Sequence, residues 1–148
     1  LAMIALIQRV RTARVVIDDA ETARIDRGSL VLVGFRAGDR AERIPRFVER
    51  LLNYRIFADA QGRMNLSLRD TDGGLLLVPQ FTLAADTDSG NRPSFTPAAA
   101  PGDGRALFEE LKIVAAEAWP GTGFGTFGAD MQVHVVNDGP VTFWLEVG

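Results

Sequence analysis

The stretch that most constrains this chain is Asn137-Asp138-Gly139-Pro140-Val141-Thr142-Phe143-Trp144, near the C-terminus. A Gly-Pro step punctuates a turn, and the residues after it alternate as a strand does. Val141, Phe143, Leu145 and Val147 fall on one face, and Thr142, Trp144 and Glu146 on the other. Glycine lacks a Cβ, so its backbone can be approached closely. Proline fixes φ, carries no N–H and permits a cis bond at its own amide. Such a step can present bare carbonyl oxygens to a ligand. From these residues alone, the plainer reading is a hairpin turn.

Hydrophobic periodicity lays out the rest. Ile4–Val10 and Ala13–Asp18 read as strands, with a tight turn at Asp19-Ala20-Glu21 leading into Thr22–Ile25. Ser29–Phe35 is almost wholly apolar, which predicts a central strand covered on both faces. Asp39, with Glu42 in capping-box spacing, predicts a helix start. Ile44, Phe47, Val48, Leu51 and Leu52 form its buried stripe, and Pro45 fits only in the first turn. Tyr54–Phe57 reads as a short strand, with turns at Asp59–Gly62 and Asp72–Gly74. Leu75–Val78 is a second buried strand, running into Pro79-Gln80-Phe81-Thr82-Leu83. A rigid strand that ends in polar residues is a good support for a site.

Asp86–Gly104 is rich in Gly, Pro, Ser, Thr and Asp and reads as a long loop partly ordered by Phe95. Asp103 is the predicted cap of a second helix, with Leu107, Leu111, Val114 and Ala118 facing inward and Pro120 closing it. A glycine-rich connection, Gly121–Gly128, leads to a strand over Met131–Val136. The expected fold is α+β: a mostly antiparallel, barrel-like sheet with two helices.

A chain of 148 residues is one domain by its length, taken as residues 3–148, with Leu1-Ala2 before Met3 read as a cloning remnant. No apolar run approaches the ~20 residues of a membrane span, and no secretory signal is visible. A cytoplasmic protein is expected, with no membrane partner. The absence of cysteine excludes disulfides and thiol catalysis, and a single histidine argues against a zinc site. The net charge of −3 argues mildly against general nucleic-acid binding. A local patch remains available in Arg9, Arg11 and Arg14. A second group, Arg36, Arg40, Arg43, Arg46 and Arg50, reads as a solvated face.

Little conventional catalytic machinery is present. His134 shares a strand face with Gln132 and Val136, with no nucleophile motif and no G-x-S-x-G nearby, so it reads as structural or surface. Thr82 and Thr142 lie where strands meet loops. For each, a functional hydroxyl and a β-branched residue suited to a strand are equally good readings, since an unassisted threonine is a weak nucleophile.

Asn137-Asp138-Gly139-Pro140-Val141-Thr142 together with Gln80-Phe81-Thr82-Leu83-Ala84-Ala85-Asp86 resembles the paired signatures of the D-aminoacyl-tRNA deacylases. Met3–Val10, Tyr54–Phe57, Met64-Asn65-Leu66, Arg92–Phe95 and Ala129–Val133 follow in that family's order, so the similarity spans about Met3 to Val147. The resemblance implies a homodimeric hydrolase without metal or organic cofactor. Its substrate would be the 3′ end of aminoacylated tRNA rather than DNA, and its role chiral proofreading.

The implied site is built largely from main chain. Gln80, Phe81 and Thr82 would be catalytic, with the Gln80 and Phe81 amides meeting the ester oxygen. A cis Gly139-Pro140 step, inserted into the partner subunit's pocket, would hold the α-amino group and exclude L-residues by steric clash. Glycyl esters, having no side chain to clash, would be cleaved too. Arg9 is implied to brace the Gly-Pro turn and Met131 to line the site, although a methionine at a strand start is also ordinary core. Asn137 and Thr142 complete the implied substrate-binding set. An ester of this kind is already activated, so a placed water and a stabilised oxyanion suffice. The tRNA's own terminal ribose is implied to help activate that water.

Two positions depart from the family pattern. Pro79 stands where serine is usual, removing a hydroxyl and a backbone donor. Thr126 stands where arginine is frequent, removing a possible RNA contact. Pro79 supports one rival reading, a tRNA-binding module that has lost turnover; the other, a relaxed-specificity deacylase with reduced turnover, would follow from a trans Gly139-Pro140 step.

Overall fold

The computed structural model describes residues 2–148. Of the pair read as a cloning remnant, Leu1 lies outside the described residues. β1 (Met3–Ile17) is one long strand; Arg11 and Thr12 do not divide it as the periodicity suggested. It turns at Asp18-Asp19, both with positive φ, into β2 (Ala20–Ile25), which begins two residues earlier than expected. That pair of left-handed residues matches the twist of a two-residue hairpin, and aspartate tolerates it. β3 (Gly28–Gly34) then runs antiparallel to the first half of β1. Gly28 allows a close approach, since a Cβ there would meet the Gly74 backbone.

A short 3₁₀ turn at Ala41–Arg43 leads into α1 (Ile44–Asn53), with Pro45 in its first turn and all five predicted stripe residues buried. The predicted Asp39 cap does not form. The Asp39 carboxylate instead accepts from the Arg36 amide at 2.6 Å, and Glu42 pairs with Arg40. Pro45, best placed at a helix start, sets the beginning of α1 beyond the reach of that cap. The next strand is also displaced: β4 (Phe57–Ala58) pairs with β5 (Met64–Leu66), leaving Tyr54, Arg55 and Ile56 outside it. α2 (Leu68–Thr71) is a single turn capped reciprocally by Ser67 and Asp70, a capping-box spacing the sequence carries and the reading missed. The Ser67 amide holds the Asp70 carboxyl below its ordinary range.

β6 (Gly74–Pro79) runs parallel to β3, which makes β3 central as expected. α3 (Pro101–Ala118) starts two residues before the predicted Asp103 cap, using Pro101 at its first position. Leu107, Phe108, Leu111 and Ala115 are its buried face. The glycine-rich connection contains β7 (Gly123–Phe124), parallel to β6. β8 (Gln132–Val147) closes the chain and pairs with β1 along nearly its whole length.

The architecture is therefore α+β, a nearly closed barrel-like sheet with order β2-β1-β3-β6-β7 and β8 on the other edge of β1. Its ladders are antiparallel around β1 and parallel from β3 to β7. Val10, Val15, Leu30, Leu76 and Val78 fill one core; a larger one lies between the sheet and the helices, around Phe47, Leu52 and Phe108. Among the described residues no helix is long and apolar enough to cross a membrane.

Candidate functional site

The Gly139-Pro140 step is not a hairpin turn between two strands. It is a bulge inside β8. Two steps along β1, from Gln8 to Val10, are matched by five along β8, from Thr142 to Asn137. The surplus residues loop out, while the ladder resumes on both sides. Asn137 holds the bulge together: its Oδ1 accepts from the Val141 amide at 3.0 Å and its Nδ2 donates to the Thr142 hydroxyl at 2.9 Å. Gly139 and Pro140 are exposed, their shared peptide is cis, and Gly139 has φ +134°, where a Cβ would press on Val141 and Arg9.

Arg9 approaches the bulge from β1. Its Nε donates to the Asp138 carbonyl at 3.0 Å and its Nη1 to the Ile56 carbonyl at 2.9 Å. One guanidinium thus ties the bulge to the segment entering β4. Arg11 lies 3.5 Å from the Asp138 carboxylate, and Arg14 lies 3.8 Å from Glu21. The N-terminal arginines Arg9, Arg11 and Arg14, the local patch available to RNA by sequence, are all engaged in ion pairs.

The Gln80 motif sits at the other end of the sheet. β6 ends at Pro79, and Phe81–Ala84 form a 3₁₀ turn rather than a continued strand. The Gln80 amide donates to the Val33 carbonyl at 2.7 Å, so it is spent on the β3–β6 junction. This corrects the expected oxyanion pair. The open amides are those of Phe81 and Thr82, the first N–H groups of the turn, which have no acceptor among the described residues. The Gln80 side-chain amide donates to the Thr82 hydroxyl, leaving that hydroxyl's own hydrogen available.

Beside these amides lies an apolar cavity of about 240 Å³, walled by Phe35, Pro79, Phe81, Ala99 and Phe127. Arg105 stacks over the Phe127 ring at 5.1 Å, and Phe95 tilts against the exposed Phe81 ring at 5.2 Å. Bonds between Asp86 and Ser94 pin the loop that carries Phe95. Neither Phe127 nor Phe95 was named as a site residue. The aromatic in Gly125-Thr126-Phe127-Gly128 was the available signal. Met131 lies near the same end, half-buried against the core of Val78, with its sulfur 3.5 Å from the Thr126 amide.

The two motifs do not meet within one chain. Arg9 pairs with Ser29 at the start of β3, whereas Pro79 pairs with Val33 near its end, roughly 13 Å further along the strand. The cavity beside the bulge, lined by Arg9, Arg27, Phe57 and Asp138, shares no residue with the one beside Phe81.

His134 is exposed on β8 opposite Arg14, far from either motif in the ladder. None of the carboxylates with displaced pKa values, Asp39, Glu42, Asp70 and Glu146, belongs to either motif. A hydrogen bond from Arg36 lowers Glu146, and burial raises Asp39 despite the bond from the Arg36 amide. The candidate site offers backbone donors, one hydroxyl and an apolar wall. That inventory suits stabilising an oxyanion more than supplying a nucleophile.

Comparison with known proteins agrees with this inventory. The family model described as D-Tyr-tRNA(Tyr) deacylase matches residues 6–146. A D-aminoacyl-tRNA deacylase of Thioalkalivibrio sulfidiphilus is 58% identical over 145 residues, covering 98% of this chain and 97% of the relative. One from Azotobacter vinelandii is 59% identical over 144 residues, covering 97% and 99%. Among solved structures, the c-Myc DNA Unwinding Element Binding Protein is 34% identical with a TM-score of 0.91, covering 97% of both chains. A probable eukaryotic D-amino acid tRNA deacylase, 18% identical with a TM-score of 0.85 over 99% of this chain and all of the other, shares the fold. With the paired motifs in place and identity near 58% over almost the full length, the chain belongs to the D-aminoacyl-tRNA deacylase family.

Proposed function

We propose that this protein is a homodimeric hydrolase that cleaves D-aminoacyl-tRNA to free D-amino acid and tRNA and spares the L-ester. The observation that carries this reading is the pair of open amides at Phe81 and Thr82 beside an apolar cavity, in a chain of this family. The two N–H groups receive the ester oxygen as it becomes an oxyanion. A water adds to the carbonyl carbon, the bond to the ribose oxygen breaks, and that oxygen leaves with a proton. The terminal ribose's free hydroxyl orients the water, and the cavity's flat, apolar walls suit the terminal base.

Selectivity needs a second copy. β8 is an edge strand 16 residues long with Val135, Val136 and Trp144 exposed, an open flank of the kind that folded proteins cover. Across a two-fold axis, the bulge of one copy enters the cavity of the other. The carbonyls at Gly139 and Pro140 then hold the substrate's α-amino group. A D-side chain points to solvent, whereas an L-side chain is driven into backbone. Glycyl-tRNA passes the same filter.

The test is release of labelled amino acid from D-tyrosyl-, L-tyrosyl- and glycyl-tRNA. Loss of the D- and glycyl esters with the L-ester intact is expected, and equal loss of D and L would overturn the filter. Mixing inactive Phe81→Pro and Gly139→Ala chains tests the shared site. Mixed dimers contain one intact site, restoring roughly a quarter of wild-type activity in a statistical mixture. No recovery would mean that each chain is self-sufficient or that no dimer forms.

A further inference from the structure

α1 carries an uncompensated basic stripe. Arg43, Arg46 and Arg50 follow one another at spacings of three and four, which places them on one face, away from the buried Ile44, Phe47, Val48, Leu51 and Leu52. The acids of this segment are already taken. Glu42 pairs with Arg40 at 3.1 Å, and Glu49 pairs with Arg69 at 2.8 Å while accepting from Asn53. Among the described residues the three stripe arginines have no carboxylate partner. Residues 40–53 hold four arginines and two glutamates, a net +2 in a chain whose total is −3.

The arrangement costs the helix something. Arg43 occupies the N-cap, where a serine, threonine or aspartate would satisfy an open amide, and it makes no capping bond. No acid stands in the first turn of α1 itself, although Glu42 sits in the 3₁₀ turn that leads into it, and a cation at a helix start opposes the dipole. A residue that breaks a local rule without a compensating contact points to a role outside the fold.

Placement supplies the partner. Phe35 forms part of the wall of the apolar cavity beside Phe81, and the chain leaves that wall directly through Arg36. Arg36 bridges to Ala98, and the Ala99 amide bonds to the Phe35 carbonyl, fixing this exit against the cavity rim. The stripe begins a few residues further on and extends roughly 10 Å along the helix, enough for a run of successive phosphates.

We propose that the Arg43–Arg46–Arg50 face of α1 is a phosphodiester-binding surface that holds the acceptor strand of tRNA while its 3′ end occupies the cavity. The inference rests on the tRNA-hydrolase reading above. The contacts are to backbone phosphate, so they position the substrate without reading its sequence. They act on binding, not on the chemical step.

The experiment compares wild type with the triple variant Arg43→Gln, Arg46→Gln, Arg50→Gln on two substrates: whole D-aminoacyl-tRNA and a D-aminoacyl ester of a CCA trinucleotide. With whole tRNA the variant's KM should rise about tenfold or more, with kcat nearly unchanged. The slope of log KM against log salt should flatten by about 0.7 to 0.9 per arginine removed. With the trinucleotide, wild type and variant should be equal. Lysine at all three positions should restore most of the loss, because a phosphate accepts a point charge. Arg63→Gln, an exposed change on the β4–β5 hairpin, should leave KM alone. An unchanged KM and salt slope with whole tRNA would overturn the proposal, as would equal loss on the trinucleotide. If neither ester is cleaved, the hydrolase reading is what fails. Anisotropy titration of labelled tRNA still decides the stripe: equal affinity of wild type and triple variant would eliminate it, leaving a solvated face or a protein contact.

Discussion

The Arg9 guanidinium donates to the Asp138 carbonyl at 3.0 Å, joining two residues 129 positions apart and fixing the looped-out segment of β8. The same side chain reaches the Ile56 carbonyl at 2.9 Å, so its planar fork serves two acceptors at once. Arg9→Lys should therefore behave much like Arg9→Ala. Losing charge-assisted bonds of this kind should cost about 1–3 kcal/mol of stability. D-aminoacyl-tRNA cleavage should fall more steeply than the melting temperature predicts. Thermal unfolding and deacylation rates on the same variants check this, and full activity in Arg9→Lys would show that the fork is dispensable.

Phe81 separates a backbone role from a side-chain role. Phe81→Ala keeps the amide and removes only a ring that is 55% exposed. Phe81→Pro deletes the amide at the first position of a helical turn, where proline is tolerated. Gln80 already has φ −144° and ψ 85°, outside the helical region that a following proline disfavours. Relative to Phe81→Ala, the proline variant should lose about 100-fold in kcat, the scale of one oxyanion donor. Comparable rates for the two would remove the amide from the mechanism.

Gly139→Ala forces a side chain onto a residue at φ +134° and to within 2.8 Å of Val141 and 3.2 Å of Arg9. The bulge must shift, so deacylation should fall at least tenfold, while the exposed position spares the core. Circular dichroism and a melting curve near wild type, together with the lost rate, would confirm that the damage is local. A wild-type rate would mean that the bulge need not keep this shape.

Gly28→Ala addresses the scaffold. A Cβ at this position would stand 1.9 Å from the Gly74 carbonyl oxygen, backbone against backbone, where no side chain can yield. β3 and β6 would have to part at their first pair, and a loss of about 3 kcal/mol or more is expected in denaturant titration. A stability within experimental error of wild type would show that the strands separate freely there.

Glu146 and Arg36 give a pH signature. Their contact is 2.6 Å, and it lowers the Glu146 pKa, so the folded state holds the carboxylate more firmly than the unfolded chain does. The associated stability is present above the ordinary glutamate range and is lost as pH falls through the lowered folded value. Because the Glu146 side chain is 44% exposed, solvent screening limits the effect to under about 1 kcal/mol. Glu146→Gln should lower stability slightly at neutral pH and converge with wild type in acid. A constant gap across that range would mean that the pair contributes nothing electrostatic.

Much of the fold was legible because it is written locally. The α1 stripe, the apolar β3 and the run Leu75–Val78 have periods that admit few alternatives, and all are buried as read. Helix starts were legible less well. Asp39 and Asp103 are good caps in isolation, yet prolines at the first turns of α1 and α3 decided where those helices begin. At the site, the paired motifs were legible as motifs. The commitment of the Gln80 amide to Val33 was not, because that bond depends on which strand lies beside β6.

By itself the sequence determined the kinds of element, the residues that must be inside and, through two motifs in family order, the family. Only the tertiary structure decided that Gly139-Pro140 is a bulge and not a turn. β1 pairs with β8 on both sides of it, and that long-range ladder carries the strand through residues whose local preference is to reverse the chain. It also decided which cations are free. Arg9 and Arg11 find their partner on the distant β8 and Arg14 on the adjacent β2, while Arg43, Arg46 and Arg50 find no carboxylate. Charge along a chain is local, but its compensation depends on which neighbours folding supplies.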